Sequence, residues 1–281
     1  MKFLRFGQPG QERPGVLDEA GVIKDLSGVI ADLRGDVLGS IGELKTQDIA
    51  GLPAVTEPQP RIGACVTGVS KVIGIGLNFI DHATETNSPV PDEPIVFLKA
   101  ASSVSGPYDD VIMPPGTTKL DWEVELGVVI GKRASYVSEA DAPEYIAGYC
   151  IVHDVSERAF QLETGGQWTK GKSADTFAPI GPWLVTPDEV GDPQNLKMWT
   201  DVDGDRRQNG SSKTMIFGVN HLVSYVSQYM SLLPGDIIST GTPPGVGLGA
   251  VPPDFLRPGQ VVELGIEKLG VQRQKIASYN G

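Results

Sequence analysis

Residues 121–132 read DWEVELGVVIGK, and this stretch decides the fold. Apolar side chains alternate there with Glu123 and Glu125, and an apolar run follows at once. Successive side chains of a β-strand point to opposite faces, so the two glutamates share one face, about 7 Å apart along it. That spacing lets both carboxylates reach one cation. It equally suits a strand with one face in water, so the spacing alone leaves both interpretations open.

The composition is that of a soluble protein with many turns. The 281 residues are 40% hydrophobic and 21% charged, which is enough apolar material for a sizeable core. Glycine (35 residues) and proline (22 residues) are both abundant, which favours short strands and turns over helical bundles. The net charge of -12 argues against nucleic acid or an anionic membrane surface as a partner. An anionic substrate would therefore need a local cation at its site.

The cysteine content and the N-terminus predict a cytoplasmic protein. Cys65 and Cys150 are the only cysteines and form no CxxC pattern, so buried, reduced thiols are expected. The N-terminal MKFLRFGQPG lacks the apolar core of a signal peptide. No stretch approaches about eighteen uninterrupted apolar residues, so no membrane segment is predicted.

The chain divides into two predicted units. Residues 1–65 contain short strands and end in the proline-rich, polar stretch 51–60, which has the composition of a linker. Residues 66–281 contain frequent apolar runs separated by turn signals, with one helix predicted from Asn220 to Leu233. We therefore predict a larger α+β, β-rich domain that follows a small β-containing N-terminal domain.

Residues 166–173, GQWTKGKS, match the phosphate-binding pattern G-x-x-x-x-G-K-[ST] letter for letter. That loop works between a buried strand and a long helix. The preceding RAFQLETG is not a continuous apolar strand, and Pro179 and Pro182 prevent a long helix after it. We therefore reject nucleotide binding and retain Lys172 as a lysine in a glycine-containing loop.

A third acidic residue stands at the end of another apolar run. Asp154 closes YIAGYCIVHD, and catalytic groups often emerge where a buried strand ends. Together with Glu123 and Glu125 it would complete an all-oxygen ligand set suited to Mg²⁺ or Mn²⁺. On spacing alone this set is a suggestion, since the chain has 35 acidic residues to choose from.

A histidine–glutamate pair lies in the stretch DHATETN. If Asp81 to Thr86 form a helical turn, His82 and Glu85 stand at i, i+3 on one face. A carboxylate hydrogen-bonded to an imidazole fixes its tautomer and makes it a better base. The alternative is an incidental pair on a surface helix. Of the other histidines, His153 is expected to be packed and His221 to be structural, at the start of the helix.

These motifs belong to a series of seven blocks, which in order are GLNFIDHATE, PIVFLKAASSVSGP, DWEVELGVVIGK, GYCIVHDVSERAFQ, WTKGKSADTFAPIGPWLVT, QNGSSKTMIFGV and LLPGDIISTGTPPGVG. In this order they resemble the fumarylacetoacetate hydrolase family, over roughly residues 70–250. The resemblance implies a β-rich roll with a mixed sheet, here preceded by the small N-terminal domain. It also implies a homodimer or higher homo-oligomer.

The resemblance further implies roles for individual residues. It assigns Mg²⁺ (or Mn²⁺) binding to Glu123, Glu125 and Asp154; catalysis to His82, Glu85, Gln161 and Lys172; and substrate binding to Lys99, Arg158 and Thr242. For Lys99 and Arg158, packing or ion pairing would explain the residue equally well. The pattern departs from the family in two places, where S-A-R-D reads SERA (156–159) and A-K-S-F reads GKSA (171–174). The first departure bears on the pocket walls rather than on the metal ligands.

The block HDVSERAFQ resembles the branch of the family that acts on 2,4-diketo-3-deoxy sugar acids. The implied reaction is hydrolysis of the C3–C4 bond of a small anionic 2,4-diketo acid. The favoured substrate is 2,4-diketo-3-deoxy-L-rhamnonate or fuconate, which would give pyruvate and lactate. Alternatives are an oxaloacetate decarboxylase, a 2-oxo acid hydratase or isomerase, and a non-catalytic binding protein. The pair of His82 and Glu85 favours hydrolysis, because a decarboxylase has no attacking water to activate.

Overall fold

Within the described part of the chain, strands dominate the secondary structure and run in three sheets. The computed structural model describes residues 1–85 and 89–279. The strands in that part of the chain are β1 (Lys2–Phe6), β2 (Arg13–Leu17), β3 (Ile23–Asp25), β4 (Val72–Gly76), β5 (Ile95–Lys99), β6 (Val104–Ser105), β7 (Val111–Met113), β8 (Leu120–Asp121), β9 (Val124–Ile130), β10 (Ile146–His153), β11 (Ser156–Glu157), β12 (Ala178–Val185), β13 (Lys197–Val202), β14 (Asp205–Ser211), β15 (Ile237–Ser239), β16 (Val261–Ile266) and β17 (Gly270–Ser278). The α-helices in the same part are α1 (Ile80–Glu85), α2 (Arg158–Leu162), α3 (Thr169–Lys172), α4 (Pro187–Val190) and α5 (Val219–Tyr229). Short 3₁₀-helices cover Gly35–Thr46, Ala101–Ser103, Ala142–Tyr145, Ser212–Thr214 and Gly247–Gly249.

The largest sheet has ten strands, with β9 and β10 near its centre. Its order is β3-β2-β1-β12-β10-β9-β15-β4-β5, and β6 pairs with β12 beside this path. Every residue of β9 is buried, which explains why VELGVVI is almost continuously apolar, since a strand covered on both faces has no water-facing set. Most pairings are antiparallel, while β15–β4 and β12–β6 are parallel. The predicted mixed, β-rich α+β fold is therefore confirmed.

A second sheet of five strands, in the order β14-β13-β16-β17-β7, packs against β9 and β10. One apolar cluster joins the two sheets and includes Leu126 from the first and Leu264 from the second. Gln274 of β17 places its Oε1 3.0 Å from Nδ1 of His153, the last residue of β10. His153 is fully buried there, so the prediction of a packed histidine is confirmed. This core fixes the positions of the two strands that carry the acidic motif.

The N-terminal strands extend the large sheet. Strand β1 pairs antiparallel with β12, with Phe3 opposite Leu184, and the β2–β3 hairpin lies outside it. The stretch 51–60, expected to be a linker, runs beside β3, where Val55 N donates to Ile23 O at 2.9 Å. The sheet is thus continuous across the boundary predicted near residue 65.

The helix predicted over residues 220–233 is shorter in the structure, because α5 ends at Tyr229. Met230 has an extended backbone (φ -153°, ψ 145°), and Leu232 N donates to Ala134 O at 2.8 Å. Leu232 therefore reaches the core from an extended segment, and the helical spacing of the residues after Tyr229 is incidental. None of the helices in residues 1–85 and 89–279 is long and apolar enough to cross a membrane.

Candidate active site

The three predicted acidic residues meet at the ends of two paired strands. Glu123 immediately precedes β9, Glu125 is the second residue of β9, and Asp154 is the first residue after β10. The antiparallel register places Val152 opposite Glu125, and the Asp154 N–H donates to Glu123 O at 3.0 Å. One carboxylate oxygen of each residue lies within 4.8 Å of the others. Alternation on one strand and a strand end on its neighbour thus bring three carboxylates together.

This acidic cluster is buried, so the alternative of a solvated outer face is wrong. Glu123 is 5% exposed, Glu125 is 2% exposed and Asp154 is fully buried. Both oxygens of Glu123 pair with cations, since Arg158 Nη2 donates to Oε1 at 2.7 Å and Lys172 Nζ to Oε2 at 2.6 Å. Burial alone would raise the pKa of Glu123, but these two cations outweigh it and hold that pKa below its usual range.

Glu125 has a different environment on the same strand. Its Oε2 accepts hydrogen bonds from Ser239 Oγ at 2.6 Å and from Gly241 N at 3.0 Å. Burial, with the nearby charges of Asp154 and Glu123, raises the pKa of Glu125 to about 8. Negative charge is in excess on this side of the cluster, because Arg158 and Lys172 pair with Glu123 and Asp154 rather than with Glu125. Three buried carboxylates with such an excess fit a hard divalent cation such as Mg²⁺ or Mn²⁺, which prefers oxygen ligands.

Two lysines contact Asp154 from different sides. Lys172 Nζ donates to Asp154 Oδ2 at 2.7 Å, and it lines the same cavity as the carboxylates. Lys99 donates to Asp154 Oδ1 and, at 3.1 Å, to Val155 O. Its side chain is fully buried behind Asp154 and is not among the cavity-lining residues, unlike the substrate-contacting position implied by the family resemblance. Lys99 thus contacts the site only from behind, through its ion pair with Asp154.

Gly171 explains how Lys172 and Gln161 come to lie on one wall. A Cβ at position 171 would stand 2.5 Å from Gln161 N and 2.5 Å from Glu157 O, so a side chain there would clash with the backbone of α2. The glycine allows α2 and α3 to touch, and it stands where the related pattern A-K-S-F has alanine. Gln161 Oε1 in turn accepts from Arg158 Nη1 at 3.0 Å. The four-residue α3 is also far shorter than the helix a phosphate-binding loop requires.

His82 and Glu85 form the predicted pair on α1. His82 Nδ1 lies 3.0 Å from Glu85 Oε2, and Glu85 Oε1 accepts from Gly245 N at 2.9 Å. Both side chains line the cavity that holds the carboxylates. Helix α1 ends at Glu85 in the described chain, and Thr86, the predicted end of the turn, lies outside the described residues. Glu85 is thus held from both oxygens and fixes the orientation of the imidazole.

Thr242 also lines the cavity, next to the strand that carries the glutamates. Its Oγ1 donates to Val124 O at 2.9 Å and accepts from Gln208 Nε2 at 2.8 Å. Gln208 Oε1 accepts from Val124 N at 3.0 Å, so the glutamine joins this loop to β9. These bonds fix the loop backbone at the edge of the site.

Asp121 is a residue of the site that sequence reasoning missed. Its Oδ1 accepts from Gly247 N at 2.7 Å, and its Oδ2 accepts from Leu248 N at 2.9 Å and from Arg158 Nε at 2.8 Å. The fully buried aspartate thus ties the 247–249 turn to Arg158, which contacts Glu123. The available signal was a carboxylate immediately before the WEVEL strand, inside an otherwise apolar, buried stretch.

These residues surround a cavity of about 590 Å³ with two unlike walls. The charged wall consists of His82, Glu85, Glu123, Glu125, Asp154, Arg158, Gln161 and Lys172. The apolar wall includes Leu77, Phe97, Leu162, Trp168, Val246 and Leu248. Acids, bases and hydrogen-bond donors therefore share one cavity with a set of uncharged, apolar side chains.

The fold and the cavity together define an enzyme. A buried network of acids and bases can transfer protons to and from a bound molecule, and a surface that only binds needs no such network. The family model described as "Fumarylacetoacetate (FAA) hydrolase C-terminal" matches residues 71–277, and the chain therefore belongs to the fumarylacetoacetate hydrolase family. The roll-type fold implied by the sequence resemblance is confirmed with it.

Relatives extend the likeness to almost the whole chain. A protein of Burkholderia orbicola (strain MC0-3), named provisionally as a hydrolase, is 59% identical over 278 residues, which are 98% of each chain. The fumarylacetoacetate hydrolase of the psychrophile Exiguobacterium antarcticum is 35% identical, with a TM-score of 0.87 over 99% of this chain and 100% of that one. The 2-hydroxyhepta-2,4-diene-1,7-dioate isomerase of Mycobacterium marinum is 30% identical, with a TM-score of 0.79 over 100% of both chains.

Proposed function

We propose that the protein hydrolyses the C3–C4 bond of a 2,4-dioxo acid in a reaction that depends on a divalent cation. Water and the substrate give pyruvate and a second carboxylic acid, and the reaction consumes no other reactant. Two of the relatives are named for hydrolysis of fumarylacetoacetate and for isomerisation of a 2-hydroxydienedioate, so oxo-acid chemistry is the class we bring to this chain.

One observation carries the proposal, namely that a histidine–carboxylate pair and three clustered carboxylates line the same cavity. Glu123, Glu125 and Asp154 would hold the cation, Mg²⁺ or Mn²⁺. When bound, it supplies positive charge for the carboxylate and the 2-oxo group of the substrate, in a protein whose net charge of -12 would otherwise repel an anion.

His82 is the proposed general base. With Nδ1 held 3.0 Å from Glu85 Oε2, the neutral ring carries its proton on Nδ1 and presents a lone pair on Nε2. Nε2 then takes a proton from the water that attacks the C4 carbonyl. Glu85 stabilises the imidazolium that forms, and it is itself held by the Gly245 N–H.

Lys172 and Gln161 are the proposed donors to the oxygen that gains negative charge at C4. Both lie on the charged wall, and the contact between α2 and α3 at Gly171 fixes their separation. A well-placed donor of this kind stabilises a transition state by about 3 kcal/mol. As the C3–C4 bond breaks, its electron pair stays with C3, which gains a proton and becomes the methyl group of pyruvate.

A second candidate function is isomerisation of a 2-hydroxydienedioate or its oxo tautomer, because a relative of the same length and fold bears that name. Isomerisation moves a proton between carbon atoms and needs no water at a carbonyl. Of these two reactions, the pairing of His82 with Glu85 favours hydrolysis, because hydrolysis needs a base to activate water.

The test is incubation of the protein and Mg²⁺ with 2,4-dioxopentanoate, 2,4-diketo-3-deoxy-L-rhamnonate, oxaloacetate and 2-hydroxyhepta-2,4-diene-1,7-dioate in parallel. We expect pyruvate with an equal amount of a second acid from at least one 2,4-dioxo acid. Carbon dioxide from oxaloacetate alone would replace the proposal with a decarboxylase. An absorbance change of the dienedioate without a new acid would replace it with an isomerase.

A further inference from the structure

We infer that the apolar wall receives the acyl substituent of the substrate, and that this substituent is an alkyl or aryl group without hydroxyls. The inference rests on the proposed function, since it places the 2,4-dioxo head group on the charged wall. It selects acylpyruvates with an apolar tail over the hydroxylated sugar acids that the family resemblance implies.

The wall is assembled from separate parts of the chain. Leu77 follows β4, Phe97 lies in β5, Trp168 immediately precedes α3, and Val246 and Leu248 lie in the segment after β15. Their side chains offer no carboxylate, amide or hydroxyl. Apart from the indole N–H of Trp168, the wall therefore gives the hydroxyls of a sugar-acid tail no side-chain partner in exchange for water, and unpaired buried polar groups are unfavourable. An alkyl or aryl tail loses nothing of this kind and leaves water for an apolar surface.

Trp168 is held so that its ring can form such a surface. A Cβ at Gly76 would stand 2.3 Å from Trp168 Cζ3, so only glycine at that position lets the ring approach the strand. The ring also packs against Phe97, with centroids 5.6 Å apart and planes inclined by 57°. This tilted arrangement is favourable for aromatic pairs. Two fixed aromatic rings thus line the cavity beside the acid–base groups, with Lys172 Nζ 5.0 Å from the centroid of the Phe97 ring.

Leu77 gives independent support. Its φ is +51°, in the left-handed region where glycine is relaxed and a leucine is strained. The position nevertheless carries a leucine whose side chain lines the cavity. Strain of this kind persists where the surrounding structure and the function of the side chain maintain it. An apolar side chain at this point of the wall is a sufficient function.

The size of the cavity agrees with a tail. A volume of about 590 Å³ is in the range that encloses a ligand much larger than 2,4-dioxopentanoate, the smallest acylpyruvate. If the tail lies on the apolar wall, each added methylene removes about the same apolar area from water. We expect kcat/KM to rise about fourfold per methylene until the wall is covered.

The experiment compares kcat/KM for straight-chain 2,4-dioxo acids from 2,4-dioxopentanoate to 2,4-dioxononanoate, for 4-phenyl-2,4-dioxobutanoate and for 2,4-diketo-3-deoxy-L-rhamnonate. The expected result is a rise along the alkyl series, with the phenyl compound well above the rhamnonate. A rhamnonate value equal to or above that of the longest alkyl compound would overturn the inference. Absence of pyruvate from every compound would refute the proposed function instead. The calorimetric affinities of the phenyl compound and the rhamnonate would then decide the inference alone, tighter binding of the rhamnonate overturning it.

Two variants make the test independent of the yield of folded protein, because each is read as a ratio of two substrates in one preparation. Leu162→Ser, on the apolar wall, should lower the ratio of kcat/KM for the phenyl compound to that for 2,4-dioxopentanoate at least tenfold. Leu233→Ser, a leucine of similar exposure (39% against 47% for Leu162) outside the cavity, should leave the ratio unchanged. An unchanged ratio in Leu162→Ser and in Trp168→Ala would exclude the wall from substrate selection.

Discussion

The two walls of the cavity differ in how they are built. The charged wall is centred on two paired strands of the large sheet, and its side chains hold one another by ion pairs and hydrogen bonds. The apolar wall comes largely from strand ends, short helices and connecting segments, and some of its members, such as Leu162, are exposed. A network that is buried and mutually bonded changes little without loss of function, whereas segments between elements accept other side chains. The sheet thus holds the three carboxylates, whereas short helices and connecting segments carry the proposed base, the donors and most of the apolar residues.

The largest effect is expected from removal of a carboxylate at the sheet centre. Glu125→Gln should lower Mn²⁺ affinity and pyruvate release about 1000-fold each, because the excess negative charge that attracts the cation disappears. Titration calorimetry with Mn²⁺ and a pyruvate assay measure the two quantities. Glu263→Gln, a glutamate on β16 that pairs with Arg273 at the surface, serves as the matched control. Unchanged Mn²⁺ affinity in Glu125→Gln would mean that the carboxylates do not hold the cation.

Removal of the proposed base should leave the cation in place. His82→Ala is expected to lower kcat about 1000-fold through loss of general base catalysis, with Mn²⁺ affinity unchanged. His221→Ala is the control, since His221 Nδ1 lies 2.7 Å from Glu139 Oε1 in a similar but exposed pair away from the cavity. Equal losses of kcat in the two variants would contradict a specific role of the cavity pair.

The connection between the two walls can be weakened at Asp121, which bonds both Arg158 and the turn that carries Leu248. Asp121→Asn removes the charge that balances a buried guanidinium and should lower the free energy of unfolding by about 3 kcal/mol. Urea unfolding at neutral pH measures the loss. Asp201→Asn, which breaks an aspartate–arginine pair at the surface with Arg206, should lower it by less than about 1 kcal/mol. A similar loss in both would show that burial of the network adds nothing.

The smallest effect is expected from an exposed ion pair, where the same charges act in water. Asp188 lies 2.8 Å from Lys45, and the hydrogen bond from that lysine lowers the pKa of Asp188 to about 2. A lowered folded-state pKa stabilises the protein above the ordinary aspartate pKa, and this contribution is lost as the pH falls towards 2. At pH 7, Asp188→Asn should lower the free energy of unfolding by about 0.5 kcal/mol at low salt. Unfolding curves at pH 7, 4 and 2.5 should show that the difference between the two proteins becomes smaller as the pH falls. A difference that became larger as the pH fell would contradict the ion pair between Asp188 and Lys45.

The sequence was most informative about the charged wall. Alternation at Glu123 and Glu125, and the strand end at Asp154, are local patterns that survive folding because neighbouring strands pair in register. The i, i+3 spacing of His82 and Glu85 is local in the same sense. The seven ordered blocks added the family and the placement of Gln161 and Lys172 on the cavity. The spacing between pairs of residues could not have predicted either.

The apolar wall and the position of Lys99 could not be read in the same way. They depend on how segments far apart in the chain meet, and no single motif records that. Lys99 carries a charge suited to an anionic substrate, yet the approach of β5 to the end of β10 places it behind Asp154. The helix predicted over residues 220–233 was too long for a different reason. Apolar side chains of the extended residues after Tyr229 continue the helical spacing although the helix has ended.

Strand β1 covers an edge of the central sheet, and this matters for anyone who shortens or recombines the protein. A chain begun at residue 66 would leave the N–H and C=O groups of β12 that face Phe3 without partners. Bare edges of this kind recruit strands from other molecules and promote aggregation. Chimaeras between relatives should therefore exchange the first strand together with its β12 neighbour, and keep both from one parent.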